Sequence, residues 1–331
     1  MKKNLVLIAC IFTSFTALHA QQTTPHIIKT YHIASGGGWD YIAVNNHKLY
    51  VSHGTQVNIL NENSGDSLGV IPNTTGVHGI AFDNTAHKGY TSNGRINNVT
   101  VFDLNTNAIL GQIATGQNPD AILYEPFSKT IITCNGRSND LSVIDTKSQK
   151  VIATIPVGGK PETAVSDDNG KLFVNIEDKS EIVAVNTKTF KVENRWSIAP
   201  GEAPTGLAID TKTKRLFAGC DNKLLMVIDA NTGKVVTKLP IGDGCDGVAF
   251  DSKTSTIYTS NGEGTMTVIK ETAANDFKVV ANVPTKRGAR TIAVDDQTHT
   301  LFLPTANFET STVANERPKM IPGTFQVLVV Q

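Results

Sequence analysis

The chain has 331 residues, 30 Lys and Arg against 30 Asp and Glu, a mean hydropathy of −0.12 and 4 cysteines. A balanced charge gives no basic face for nucleic acid, and no stretch beyond the N-terminus approaches the length of a membrane span. Zinc-ribbon and covalent haem sites have no footing either, because no Cys-x-x-Cys spacing occurs.

In chain order, Met1-Lys2-Lys3-Asn4 followed by an apolar run to Leu18 and a small residue at Ala20 reads as a secretory signal peptide over 1–20. Residues 21–331 then form a single domain, expected to be periplasmic or secreted. The Leu7-Ile8-Ala9-Cys10 tetrad resembles a lipoprotein box, but its apolar run is too short to favour lipidation at Cys10. Loss of Lys2 and Lys3 leaves the mature chain slightly acidic.

A β-rich segment over 27–33 comes next, and from Asp40 onward the chain repeats itself seven times in steps of 38 to 44 residues. Each copy carries an apolar strand (Gly79-Ile80-Ala81-Phe82-Asp83), a second strand (Lys88 to Asn93), a third (Val99 to Asp103) and a fourth (Ala108 to Ile113). Four strands at a period near forty predict an all-β fold, a seven-bladed β-propeller. The last copy stops one strand short, so the 27–33 segment is expected to complete its blade and close the ring. Leu49-Tyr50-Val51-Ser52, Val143-Ile144-Asp145-Thr146 and the run from Lys150 to Gly159 resemble the YVTN-type (YncE-like) propeller repeat. The resemblance spans about residues 27–331 and implies the fold; its members share a repeat rather than a catalytic motif.

The residue opening each copy is polar: Asp40, His78, Asp120, Glu162, Thr205, Asp246 and Arg290. Innermost strands line the channel of a propeller, so these anchors should ring its mouth, and converging polar groups at a concave mouth form a ligand site. Loops on that face vary from copy to copy, as binding loops do. Within the ring, His53 and His78 with Asp40 and Asp120 form a candidate set for a divalent metal ion, whereas carboxylates with Asn135 or Asn175 would suit calcium. Arg95 and Arg137, each after an Asn-Gly, could join Arg290 to receive an anion, or simply stay solvated beside tight turns. Trp39 offers a stacking surface or an interblade packing residue. The loop over 306–324 departs furthest from the repeat and leaves on the mouth face. Cys220 and Cys245 read either as a disulfide of an exported protein or as free, half-buried thiols.

No nucleophile elbow, His-Glu-x-x-His or phosphate loop is present. The reading is therefore a monomeric, non-enzymatic binding or interaction protein for an unknown small ligand or protein partner. The alternative is a metal-dependent hydrolase of lactonase type, with a divalent ion at the mouth. An accessory role in a periplasmic redox or metal-handling system is a third expectation.

Overall fold

The computed structural model describes residues 24–273, 275–310 and 318–331. The proposed signal peptide and Cys10 lie outside the described residues. Seven four-stranded antiparallel sheets make up the fold, six of them built from consecutive strands. The seventh is ordered differently: the N-terminal strand Ile27–His32 pairs with the C-terminal Gln326–Val330, followed by Leu301–Thr305 and Ala293–Val294. The one helical element among the described residues is a turn of 3-10 helix, Glu177–Lys179. No helix among them is long and apolar enough to cross a membrane.

Burial explains the strand compositions. Second strands such as Thr130–Asn135 and Thr256–Asn261 are buried at every position, because neighbouring blades cover both faces. They accordingly read as near-continuous apolar and Thr/Ser runs rather than alternating ones. Fourth strands such as Lys150–Pro156 are mostly exposed and carry the charged residues. Apolar clusters sit between sheets, for example Ile132, Leu141 and Val143 of blade three against Leu172, Val174 and Val183 of blade four. No blade buries its own faces, so the ring is the folding unit.

Turns away from the mouth are stamped from one device. Asp103 accepts bonds from the Asn105 and Thr106 amides at 2.9 and 2.8 Å, and Asp229 repeats this with Asn231 and Thr232 at 3.0 Å. The residue closing each turn is left-handed, Asn107 at φ 61° and Gly233 at φ 72°. Identical chemistry at identical positions is why this face varies little between copies.

Cys134, Cys220 and Cys245 are free and buried, which settles the two readings of the Cys220 and Cys245 pair in favour of thiols. Burial pushes the Cys220 thiol up to about 12 and lifts Cys245 further.

Candidate functional site

The anchors reach the mouth through a shared irregularity. In six blades the pairing of first and second strands slips at the anchor: between Trp39 and Ile42, Val77 and Ile80, Pro119 and Ile122, Pro161 and Ala164, Pro204 and Leu207, Cys245 and Gly247. A bulge leaves its residues out of the ladder and re-aims their side chains. Neighbouring blades then fix the anchor backbone. Ser260 Oγ donates to the Arg290 carbonyl at 2.5 Å, Thr291 Oγ1 to that of Asp40 at 2.6 Å, and Asn175 Nδ2 to that of Thr205 at 3.1 Å.

Charges alternate around much of the ring. Asp246 pairs with Arg290, whose guanidinium lies 4.0 Å from Asp40. His78 Nδ1 donates to Asp40 Oδ2 at 2.5 Å and lies 3.7 Å from Asp120 Oδ1. Blades six, seven, one, two and three thus run minus, plus, minus, plus, minus. Blade four breaks the series by placing Glu162 next after Asp120. Lys160, from the loop before Glu162, bonds it at 2.5 Å and also pairs with Glu177. Blade five contributes only the neutral Thr205, whose hydroxyl is spent on the Cys245 carbonyl at 2.6 Å.

The titration of these groups follows the pattern. Burial pulls the His78 imidazolium down, but the Asp40 bond and the charges of Asp120, Asp40 and Glu162 outweigh it and lift it to about 9. Burial and the Asp40 charge raise Asp120 to about 7, against the opposing pull of His78. Burial and the Asp120 charge raise Glu162 to about 8. An isolated ion pair with Lys160 would have depressed Glu162. The bond to Glu177 adds to burial and the Asp120 charge against Lys160, and Glu177, bonded by Glu162 and Lys160, is held below the usual range although burial opposes it. Glu162 therefore shares its proton with Glu177 rather than standing as a free carboxylate.

Beneath the ring, Tyr41 crosses the channel from blade one to blade four, where its hydroxyl sits 3.4 Å from Thr163 Oγ1. Burial, and then the charges of Asp120, Asp40 and Glu162, raise its phenol well above the ordinary value. The position after each anchor is otherwise small: Gly79, Ala121, Thr163, Gly206, Gly247 and Thr291. One aromatic in a column of small residues fills the bore those residues leave. Tyr41, with Ile80, Ile122, Val165, Leu207 and Val248, lines a cavity of about 220 Å³.

Asp40, His78 and Asp120 offer ligand atoms within 4.8 Å of one another, so three of the four residues expected around a metal converge. His53 does not join them. Its Nε2 faces the Gly37 carbonyl at 2.8 Å, its Nδ1 is taken by Ser35, and its ring stacks on Phe325 at 3.9 Å. Burial lowers its pKa, in keeping with a neutral packing histidine. Asn135 is also committed elsewhere, donating to Asp140 at 2.7 Å and Ser142 at 2.9 Å. Arg290 belongs to the acid ring, while Arg95 and Arg137 are exposed and make no side-chain ion pair among the described residues. The expected arginine trio is thus not assembled. Trp39 packs between blades, stacked on Phe325 at 5.3 Å, and still borders the mouth face.

Sequence reasoning missed Tyr41, Lys160 and Glu177. The first two were readable as exceptions in aligned columns. Lys160 stands where the other copies have Gly38, Gly76, Asn118, Ala203, Gly244 and Gly288.

No family model matches the sequence, and no curated protein matches it. Solved structures share its shape. A chain of the hydrazine synthase of Kuenenia stuttgartiensis aligns with a TM-score of 0.72 at 17% identity, over 82% of this chain and 94% of that one. A chain of the mitotic checkpoint complex aligns with a TM-score of 0.77 at 11% identity, over 100% and 99%. At such identities the likeness shows the seven-bladed propeller and nothing of its chemistry.

Proposed function

We propose that this chain is an exported, YVTN-type propeller acting as a monomeric binding module, whose channel mouth seats a positively charged group between Asp120 and Glu162. The observation that carries the reading is the break in charge alternation there. Two successive carboxyls hold protons near neutral pH because burial outweighs the cations beside them, His78 at 3.7 Å from Asp120 and Lys160 bonded to Glu162. An incoming cation takes over the role of those protons, so binding is coupled to their release. Export rests on the 1–20 segment, and the subfamily on the repeat residues from Leu49 to Ser52 and Lys150 to Gly159.

Calorimetric titration of the mature protein with calcium, zinc and putrescine, at about pH 6 and about pH 8, tests it. At least one of these probes should bind, more tightly at the higher pH and with proton release, and Asp120→Asn should lose the binding. No saturable heat with any of the three would refute the proposal.

A second reading, the metal-dependent hydrolase, is favoured by the convergence of Asp40, His78 and Asp120. When bound, a divalent ion would supply Lewis acidity and a low-pKa water. The residues' own part would be to hold it once His78 gives up its Nδ1 proton. Zinc binding together with turnover of lactone or ester substrates would select this reading; binding without turnover would select the first.

A further inference from the structure

Beside the acid ring lies a second site of different character. A cavity of about 520 Å³ is lined by Trp39, Phe308 and Pro318 together with Arg287 and Arg290. That volume is within the range of small-molecule pockets. The Trp39 and Phe308 rings stand 6.1 Å apart at 55°, so they form a V of two flat apolar faces.

The aromatic wall is braced from behind. Trp39 is backed by the buried Phe325, which is backed in turn by the buried ring of His53. Phe308 is held by a short ladder joining the two ends of the long loop, with Glu309 N donating to the Lys319 carbonyl and Ile321 N to that of Asn307, both at 2.8 Å. Gly288, at φ +78°, completes the floor. A Cβ there would meet the Phe308 ring at 2.9 Å and Trp39 Cζ2 at 3.4 Å, so only backbone fits.

The cationic wall is not used up. The run Lys286-Arg287-Gly288-Ala289-Arg290 places three bases in five residues. Arg290 is occupied by Asp246, and Lys286 donates to Gln326 at 3.0 Å. Arg287 is exposed, and its guanidinium makes no ion pair or hydrogen bond among the described residues. An unengaged planar guanidinium beside two flat aromatic faces matches one ligand chemistry: a carboxylate for the fork and an aromatic body for the rings.

We propose that the pocket between Trp39, Phe308 and Arg287 binds aryl carboxylates, as a subsite distinct from the acid ring. It selects negative charge where the ring selects positive, so neither proposal depends on the other. Arg290 is the one residue common to both, and it faces the ring through its bond to Asp246.

The chain has two tryptophans, so Trp196→Phe leaves Trp39 as the sole indole reporter. In that background, 4-nitrobenzoate should quench fluorescence saturably with a Kd at or below about 1 mM. The neutral 4-nitrobenzamide should bind about tenfold weaker or less, and Arg287→Ala should weaken the benzoate by a similar factor. Phe308→Leu should weaken both ligands together, and Asp120→Asn should leave benzoate binding unchanged while abolishing cation binding at the ring. Non-saturating quenching, equal affinity for acid and amide, or full affinity in Arg287→Ala would each overturn the proposal. Should Trp196→Phe fail to fold, calorimetry of the unsubstituted protein with the same acid and amide decides between the same outcomes.

Discussion

Tyr41 gives the sharpest test of how the mouth is built. Replacing it with alanine restores the small residue that the other six copies carry after their anchors. Truncating a fully packed aromatic costs about 3–5 kcal/mol. Tyr41 borders the channel cavity on one side, so the loss belongs at or just below the lower end, about 2–3 kcal/mol. Tyr41→Phe should differ little from the native protein, within about 0.5 kcal/mol, because the hydroxyl contact to Thr163 is long at 3.4 Å. Guanidinium unfolding of the three proteins at one pH reads these values. A second readout follows from electrostatics: opening the bore lets water reach Asp120 and Glu162, relieving the burial that raises both. The pH midpoint for cation uptake should therefore fall in Tyr41→Ala. Alanine and phenylalanine variants of equal stability, or an unmoved midpoint, would refute the plug.

The remaining expectations concern protons and thiols. Glu162 has a folded pKa of about 8 against an ordinary 4.5, so the folded state keeps a proton that the unfolded chain releases. Stability should be level below pH 4.5, fall as pH rises towards 8 and level off above, and Glu162→Gln should flatten that slope in pH-dependent melting curves. On the opposite face, burial, then the bond and charge from Asp295, raise Glu62 to about 7 at the seam of blades one and seven. The same sign applies over pH 4.5 to 7, and Glu62→Gln should remove that part of the loss without changing cation binding at the mouth. Cys134, Cys220 and Cys245 should resist a thiol reagent in the folded protein and react together on unfolding, because burial raises all three. Reaction of any one of them at the rate of a free thiol in the native state would contradict their placement.

The repeat made the architecture legible because each copy restates the same strand lengths, turn residues and apolar columns. The ring members could be named because a repeat fixes which residue stands at the head of each copy. Their partners could not. That His78 leans on Asp40, while His53 turns back to Ser35 and Gly37, depends on side-chain direction, which strand order does not specify. Glu177 escaped for a related reason: it comes from a 3-10 turn, outside the columns that periodicity aligns, whereas Lys160 stands in an aligned column but its partners Glu162 and Glu177 are set by side-chain direction. The aromatic pocket depends on the two ends of the 306–324 loop finding each other, a contact with no counterpart in the other six copies.

The bulges at the anchors also bear on how such a protein changes over time. Because the anchor side chains stand outside the ladder between first and second strands, their identity is only loosely tied to the pairing that holds each blade together. Positions of that kind can exchange acid, base or hydroxyl at small folding cost, as Asp40, His78 and Thr205 already do within one chain. The mouth is in effect a seven-letter word written on a frame that does not read it. A library randomised at those seven positions would keep most of its members folded while sampling many different charge patterns around one bore.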